Sequence, residues 1–277
     1  MDNTRDIKTL NVEPKKVLNV FGKIFKNNTI FKKSILIAVL LLLWQIVPSS
    51  GLTDKTFLPP LSEVIKAWWK LLLSGELINH ISASLIRAFS GFAIAIAYGI
   101  PLGMLIGWYK GVSDVISPVI EIFRNTAALA LFPLFILFLG IGETSKIAIV
   151  VYACSWPILL NTIAGVKNVD NLLIRSAQSM GVNQFTLFRK VIFPAAIPTI
   201  FTGIRLAGAT SILVLVAAEM IGAKAGLGYL IQYTQFSFQI PNMYAGIITI
   251  SLIGLIINKG LLFIESRFSS WKPQNNN

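Results

Sequence analysis

The sequence has few of the residues that carry out catalysis or bind metal ions. Cysteine occurs once, at Cys154, histidine once, at His80, and there are only 12 Asp and Glu residues among 277. A single cysteine can form neither a disulfide within the chain nor a Cys-based metal site. So few carboxylates and imidazoles also leave little for general acid–base chemistry. We therefore expect no catalysis, no metal site and no cofactor in this chain.

Charge of either sign is also scarce. Charged residues make up 13% of the chain and hydrophobic residues 55%, whereas soluble domains are usually about 25% charged. These values predict that lipid is the solvent. The net charge of +12 does not indicate a nucleic-acid partner, because the basic residues lie mostly between long apolar stretches. Cytoplasmic loops of membrane proteins collect Lys and Arg in this way.

The apolar runs predict an all-α integral membrane protein with six transmembrane helices. We expect the spans at about 34–47, 84–106, 115–139, 144–165, 195–221 and 244–264. The basic segment before the first run lacks a following cleavage site, so that run is expected to be a membrane helix rather than a signal peptide. The distribution of Lys and Arg predicts that both termini and the polar loop at 166–194 are cytoplasmic, as in a multi-pass protein of a bacterial cell membrane.

The predicted division of the chain follows these spans. The segments are a basic cytoplasmic tail at 1–33, the first membrane helix with its outer connection at 34–57, an interfacial amphipathic helix at 58–79, a core transmembrane domain at 80–265, and a cytoplasmic tail at 266–277. The 58–79 segment is too short to span, because a crossing needs about 20 apolar residues. Its Trp68 and Trp69 fit the headgroup region of a membrane. The alternative is a loop helix packed against the rest of the protein.

Small residues recur along the second predicted span. They are spaced by multiples of four: Gly91, Ala95, Gly99, Gly103 and Gly107. Such a stripe lies on one face of a helix and lets a second helix approach closely. Pro101 lies within the same run, and proline is tolerated in membrane helices. We therefore expect a continuous helix here with a close neighbour along its small-residue face.

The polar loop between the fourth and fifth spans contains two short apolar patterns at helical spacing. The first consists of Ile174, Ala177 and Met180, and the second of Phe185, Phe188 and Ile192. Gly181 separates them and can adopt a turn conformation at low cost. Pro194 is expected to stop the second short helix and to begin the fifth span. The pattern predicts a bent helix pair in the cytoplasm whose apolar side chains need a covering partner.

The same loop carries a recognisable spacing. Arg175-Ser176-Ala177, Gly181 and Val191-Ile192-Phe193-Pro194 match the signature Glu-Ala-Ala, three residues, Gly, nine residues, Ile-x-Leu-Pro. The loop therefore resembles the coupling loop of binding-protein-dependent permeases of type I ABC importers, which in that family docks on the ATPase subunit. Arg175 stands where the family has Glu, so an ion pair from that carboxylate is not carried over.

Further motifs resemble the aliphatic-sulfonate, taurine and nitrate branch of that family. They include Leu58–Val64, Gly99–Gly103, Phe138–Lys146 and Val216–Tyr229. Many members have a Pro-rich stretch after the arginine of the third span, and here residues 124–133 keep only Pro133. For this reason the resemblance does not fix the substrate.

The resemblance implies a function and a set of partners. The chain would be the permease subunit of an ATP-binding-cassette importer and would move a small, sulfonate- or nitrate-like solute inward by alternating access. Its partners would be two cytoplasmic ABC ATPase subunits, an extracytoplasmic substrate-binding protein, a second copy of the chain and membrane lipid, with no nucleic acid. The residues that match the docking signature or lie on its helices are Arg175, Ser176, Ala177, Gly181, Phe185, Phe188 and Pro194.

Ionisable groups inside spans are costly and usually face a bundle interior or a watery path. Glu121 and Arg124 in the third span, with Asn125 beside them, and Glu219 near the end of the fifth are therefore candidates for the substrate path. A structural pair between Glu121 and Arg124 is the alternative for those two. Glu219 could equally organise an outer loop. His80, Cys154 and Asn161 are interpreted as structural, Asn161 as a polar contact between helices.

Two other functions compete with this reading of the sequence. A gradient-driven secondary transporter or channel needs acidic residues near the membrane midplane, and only Glu121 lies at a suitable depth. That alternative also gives no reason for the bent cytoplasmic loop. A membrane-embedded enzyme needs a cluster of reactive groups, which the sequence does not contain. The chain also lacks the G-x-x-x-x-G-K-[ST] motif, so energy for pumping would have to come from a separate subunit.

Overall fold

The computed structural model describes residues 29–51, 53–54 and 56–268. The predicted tails at 1–33 and 266–277 therefore lie largely outside the described residues. The α-helices are α1 Thr29–Ser49, α2 Leu61–Leu73, α3 Glu76–Trp108, α4 Lys110–Arg124, α5 Phe132–Leu139, α6 Glu143–Lys167, α7 Asn171–Ser179, α8 Gln184–Leu187, α9 Phe193–Gly222, α10 Leu227–Phe236 and α11 Ile240–Phe268. A 3₁₀ turn, Ala128–Leu131, precedes α5, and a π-helical turn, Phe188–Ile192, joins α8 to α9.

The described chain divides into two compact units between Glu63 and Val64. In the first unit α1 ends in its Pro48-containing turn, as the sequence predicts. The indole N–H of Trp44 donates to the carbonyl of Pro59 at 3.2 Å. Gln45 exchanges two hydrogen bonds with Ser62, at 2.9 and 3.3 Å. The apolar side chains of α1 are largely exposed, as expected for a helix whose surroundings are lipid.

The second unit is built on four long apolar helices, α3, α6, α9 and α11, each long enough to cross a membrane. Helix α3 continues through Pro101, as predicted. In the part of the chain that the structure describes, α4 and the segment Ala128–Leu139 form a further candidate span bent by 85°. The described residues thus contain four or five spans by length and composition, and a count of six stays a prediction.

The small-residue stripe of α3 packs against α6, which confirms the predicted close approach. A Cβ atom built on Gly91, Gly103 or Gly107 would lie 2.7–2.8 Å from side-chain atoms of Val150, Thr162 or Val166. The contacting residue numbers rise together on both helices, so α3 and α6 run parallel. Helix α9 runs antiparallel to α6. A Cβ built on Gly203 of α9 would lie 2.7 Å from the carbonyl of Pro157.

Two ends of this bundle follow from the helix directions. The connector end carries the last residues of α3 and α6 and the first of α9, together with the connector, which we define as residues 168–192. The opposite end carries the first residues of α3 and α6 and the last of α9. Helix α11 packs on α9 and pairs with it near the connector end, where Arg205 lies 3.0 Å from Glu265.

Helix α2 has two different faces. Val64 and Leu71 are buried, and the indole N–H of Trp68 donates to the hydroxyl of Thr249 on α11 at 3.0 Å. Trp69, in contrast, is 55% exposed. Other residues of the same face are exposed as well: Ile65, Lys66, Lys70 and Leu73. The helix is therefore packed on one side, as in the loop-helix alternative, and keeps the apolar and basic outer face expected at an interface.

Candidate functional site

The connector folds as the predicted bent pair of short helices. The carboxylate of Asp170 accepts the N–H of Leu172 at 2.8 Å and caps α7. The side-chain oxygen of Asn183 accepts the N–H of Thr186 at 2.8 Å and caps α8. Between them Gly181 has φ of +73°, a left-handed conformation that favours glycine. Local capping and this turn thus define the shape before any partner is present.

Each predicted apolar face of the connector is divided between the protein core and the surface. Ala177 and Ile192 are buried, together with Leu187, against Ala196 and other core residues. Met180 is 74% exposed and Phe185 73%. The expectation that each trio forms one exposed face is therefore wrong. The helices need part of their apolar surface to anchor themselves to the bundle.

The exposed side of the connector combines apolar and polar groups. Besides Met180 and Phe185, Leu172 and Leu173 are 69% and 51% exposed, and Arg175 and Ser176 lie at the surface as well. Phe188 is half-buried and meets Trp108 of α3 edge to face at 5.5 Å between ring centroids. Four large apolar side chains thus stand on a segment that is itself fixed to the bundle.

Pro194 does not end the second connector helix, contrary to the sequence prediction. The helical backbone runs without a break from Gln184 to Gly222. A π turn covers Phe188–Ile192, and the N–H of Phe193 donates to the carbonyl of Phe188, five residues back. Proline lacks the N–H needed for the ordinary bond to a carbonyl four residues back. Because Pro194 falls in the first turn after the π segment, the helix accommodates it.

The third predicted span is broken rather than continuous. Helix α4 ends at Arg124, and the next helical turn begins at Ala128. Glu121, Arg124 and Asn125 are all exposed, and within the described chain Glu121 and Arg124 form no ion pair with each other. The side-chain amide of Asn125 donates to the carbonyl of Glu121 at 2.8 Å and helps to close α4. Arg124 thus has no carboxylate partner among the described residues at the break.

Aromatic residues of α6 hold this break in place. The hydroxyl of Tyr152 donates to the carbonyl of Phe123 at 2.7 Å. The rings of Phe123 and Trp156 stack with 6.3 Å between centroids and an interplanar angle of 7°. Tyr152 also contacts Phe135 of α5, with centroids 6.1 Å apart. Since Tyr152 and Trp156 lie about halfway along α6, the break is at mid-depth in the bundle.

Glu219 belongs to a buried ion-pair network at the opposite end of the bundle. Its carboxylate is fully buried and lies 2.6 Å from a terminal nitrogen of Arg87. It accepts the hydroxyl of Ser84 at 2.8 Å and the N–H of Gly228 at 3.0 Å. Arg87 also holds Glu143 through two N–H groups, one of them at 2.8 Å. Of the two roles considered for Glu219, this geometry favours organisation of the loop.

The network fixes the connection between α9 and α10. Arg87 donates to the carbonyl of Ala225 at 2.6 Å. Nδ1 of His80 accepts the N–H of Gly226 at 3.1 Å, which agrees with the structural role expected for that histidine. A Cβ atom built on Gly228 would lie 2.2 Å from the carbonyl of Val216. Only glycine therefore lets this turn close over the Glu219 carboxylate.

Sequence reasoning missed Arg87, the charged partner of Glu219, and Glu143, the second carboxylate that Arg87 binds. Arg87 lies inside the second predicted span and is buried in the structure. The signal was present, because an ionisable residue in such a span normally has a polar partner. The pairing itself was not visible, since 132 positions separate Arg87 from Glu219.

Cys154 and Asn161 lie inside the bundle. The thiol of Cys154 is buried and donates to the carbonyl of Ala207 at 3.3 Å. The amide of Asn161 donates to Pro157 of its own helix at 2.8 Å. Asn161 thus joins α6 to α9 by packing under Gly203 and not by the hydrogen bond between helices that the sequence led us to expect.

These features define a class of protein. The long apolar helices, the internally paired charges and the broken span at mid-depth are those of a helical membrane transport protein. Among the residues that the structure describes, no three His, Cys, Asp or Glu side chains form a group that could hold a metal ion.

The family follows from comparison with known proteins. The chain belongs to the binding-protein-dependent transport system inner membrane components, whose family profile matches residues 99–270. It is 35% identical over 243 residues to the taurine transport system permease protein TauC of Escherichia coli, covering 85% of this chain and 87% of that one. It is 33% identical over 241 residues to a putative aliphatic sulfonates transport permease of Bacillus subtilis, covering 87% of each.

Two further comparisons concern the sequence and the fold. The nitrate import permease NrtB of Synechocystis is 31% identical over 267 residues, which cover 93% of this chain and 96% of that one. The fold is similar to a chain of the MetNI methionine ABC transporter in an inward-facing crystal form. That likeness has a TM-score of 0.63 at 18% identity and covers 71% of this chain and 97% of the other. The chain is thus the transmembrane permease subunit of an ABC importer. ATP hydrolysis in this family belongs to a separate subunit.

Proposed function

We propose that this permease works as a homodimer that binds two ATPase subunits through its two connectors and imports a small anion by alternating access. A binding protein would deliver the solute at the end of the bundle opposite the connector. The observation that carries the proposal is the connector itself, in which Leu172, Leu173, Met180 and Phe185 stand exposed on a segment anchored to the bundle. Movement of a bound ATPase would therefore be transmitted to α9 and α3.

Docking is proposed to use apolar contact and shape more than a single charge. Met180 and Phe185 flank the Gly181 turn and present large apolar groups, which are favourable to bury in a groove of a partner. Ala177 and Pro194 would support the docking surface from below, since Ala177 is buried and Pro194 lies at the start of α9. Arg175 and Ser176 would lie at its rim, where charged groups contribute little to affinity.

Co-purification of the ATPase tests this docking. Phe185→Asp places a charge on the exposed apolar patch and is expected to release the ATPase from the detergent-solubilised complex. Gln178→Asp is the matched control, because Gln178 is exposed on the other connector helix and its replacement adds the same charge. Ala177→Asp would be uninformative, since it inserts a charge into the core. Full retention of the ATPase by the Phe185→Asp protein would contradict the docking proposal.

The orientation of the chain is part of the proposal. The excess of Lys and Arg at the connector and in both tails supports a cytoplasmic location for these parts. The only cysteine is buried, so a Cys154→Ala protein gives a clean background for single cysteines. An impermeant thiol reagent applied outside intact cells should label the Lys224→Cys protein and fail to label the Ser179→Cys protein. The reverse result would overturn the orientation.

The mid-depth break supports an anion path. Arg124 stands exposed at the end of α4 without a carboxylate partner among the described residues, and Asn125 adds a polar group beside it. Broken membrane helices often mark the substrate site of transporters. Relatives named for taurine, aliphatic sulfonates and nitrate support a small anion as the solute. Because Glu121 does not pair with Arg124, the charge of Arg124 can attract such an anion.

Uptake by the complete importer tests the role of Arg124. Vesicles containing permease, ATPase and binding protein are supplied with taurine, ethanesulfonate or nitrate as candidate solutes. Arg124→Ala is expected to lower the uptake of the transported anion at least tenfold, and Arg124→Lys, which keeps the charge, much less. Equal uptake by the Arg124→Ala and unaltered proteins would refute this role. Uptake by the permease alone, driven by an ion gradient, would instead support a secondary transporter.

Membrane lipid is proposed to cover the outer face of α2. Ile65, Trp69 and Leu73 are exposed along one side of this helix, with Lys66 and Lys70 next to them. Tryptophan and lysine in this arrangement are typical of helices lying at a membrane interface. Trp69 fluorescence, measured in a protein whose other tryptophans are replaced by phenylalanine, should be quenched by shallow rather than deep lipid-attached quenchers.

A further inference from the structure

The end of α4 is closed by hydrogen bonds to the carbonyl of Phe123. The last carbonyl groups of a helix have no N–H partner in the following turn. Here α4 stops at Arg124, halfway along the bundle. The N–H groups of Asn125 and Thr126 turn back to the carbonyl of Phe123. The same carbonyl also accepts the hydroxyl of Tyr152.

The side chain of Tyr152 contacts both halves of the broken span. Its hydroxyl bonds to Phe123 at 2.7 Å, at the end of α4, and its ring lies 6.1 Å from that of Phe135 in α5. It also meets Trp156 edge to face, at 5.4 Å, and Trp156 stacks on Phe123. This aromatic group fixes the peptide that immediately precedes Arg124.

Arg124 itself is held only through its backbone. Its side chain is exposed and has no ion-pair or hydrogen-bond partner within the described residues. The location of the guanidinium group therefore depends on where the end of α4 is fixed. A displacement of about 1 Å in a group that binds a small ion is enough to weaken the interaction severalfold.

We propose that Tyr152 is a positioning residue for the transported anion: by bonding to the carbonyl of Phe123 it holds Arg124 at the site where the anion passes. This inference rests on the proposed role of Arg124 and goes beyond it, because Tyr152 does not itself touch the anion. The hydroxyl of Tyr152, and not its ring, carries the effect, since the ring contacts with Phe135 and Trp156 persist when the hydroxyl is removed.

The test compares Tyr152→Phe in two backgrounds. Uptake of the transported anion is measured in proteoliposomes with ATPase and saturating loaded binding protein. Tyr152→Phe is expected to lower the maximal rate about five- to tenfold, the effect of losing one hydrogen bond. In the Arg124→Gln background the same change is expected to have no further effect, because the group it positions is absent. Tyr98→Phe is the matched control, since it removes a hydroxyl of α3 that is bonded to Ser155 of α6, the helix that carries Tyr152.

The outcomes separate the two proposals. If Arg124→Gln leaves uptake unchanged, the anion role of Arg124 fails. If Arg124→Gln lowers uptake but Tyr152→Phe does not, the positioning role fails alone. If Tyr152→Phe lowers uptake equally in both backgrounds, Tyr152 is merely structural and the inference is again overturned.

A distance measurement keeps the test valid if the Arg124→Gln protein has no measurable uptake. Nitroxide labels are attached at Arg124→Cys and Leu206→Cys in the assembled importer with Cys154→Ala; Leu206 is exposed on α9. Tyr152→Phe is expected to broaden or shift the distance distribution between the labels, and Tyr98→Phe to leave it unchanged. Identical distributions for the unaltered and Tyr152→Phe proteins would refute the positioning of α4 by Tyr152.

Discussion

Removal of Arg87 should destabilise the permease more than any other single change in the buried network. Glu219 is fully buried and depends on Arg87 for its compensating charge. Arg87→Met leaves the carboxylate of Glu219 without a compensating charge, and it also removes the hydrogen bond to the carbonyl of Ala225. Loss of one partner of a buried pair costs about 3–5 kcal/mol of unfolding free energy. We expect a loss in this range, measured by titration with sodium dodecyl sulfate in mixed micelles.

Two companion variants isolate the origin of that loss. In Arg87→Met with Glu219→Gln the buried site is neutral, and the introduced amide can still accept from Gly228 and bond to Ser84. The double variant should therefore be no less stable than Arg87→Met alone. If the two substitutions acted independently, their losses of unfolding free energy would instead add. Glu143→Gln should cost about 1 kcal/mol or less, because the side chain of Glu143 is 62% exposed. Additive losses in the double variant, or an equal loss for Glu143→Gln, would refute the reasoning.

Two further predictions concern glycines. Gly103→Val should destabilise the bundle by about 2 kcal/mol or more, because even a Cβ at this position would lie 2.7 Å from Thr162. Gly111→Ala is the control and should change the thermal midpoint little, because a Cβ built on Gly111 has no atom within 4 Å. Equal shifts of the thermal midpoint for the two variants would contradict the packing argument. Gly181→Ala should cost about 1–2 kcal/mol through its φ of +73° and weaken ATPase retention in the same co-purification assay, while unchanged retention would show that the turn tolerates a side chain.

The sequence predicted those features whose cause is local. The stripe from Gly91 to Gly107 is a periodicity within one helix, so it can be recognised without knowing that α6 is the neighbour. The Gly181 turn depends on a few adjacent residues in the same way. For the connector, shape was therefore predictable. The sequence did not predict which apolar residues of the connector face inward, because their direction depends on contacts with α3 and α9.

The break after Arg124 and the network around Glu219 were less accessible for different reasons. The run from Ala127 to Leu139 is apolar throughout, and composition is the same for a straight span and a bent one. The polar group Arg124-Asn125-Thr126 was the only local sign of a break. Ser84 and Arg87, the side chains that bind Glu219, come from α3, far away along the chain, and no spacing rule connects them with Glu219. A charge inside an apolar run indicates that a partner exists without naming it.

The π turn between the connector and α9 has a consequence for the register of the molecule. It contains one residue more than an α-helix would use over the same length, so the connector is wound by about 100° relative to an uninterrupted helix. Deleting a single residue between Phe188 and Ile192 would turn the exposed side of α8, with Phe185, toward another neighbour while leaving the span intact. The single extra residue of this turn thus sets the direction of the exposed connector side chains independently of the long helices.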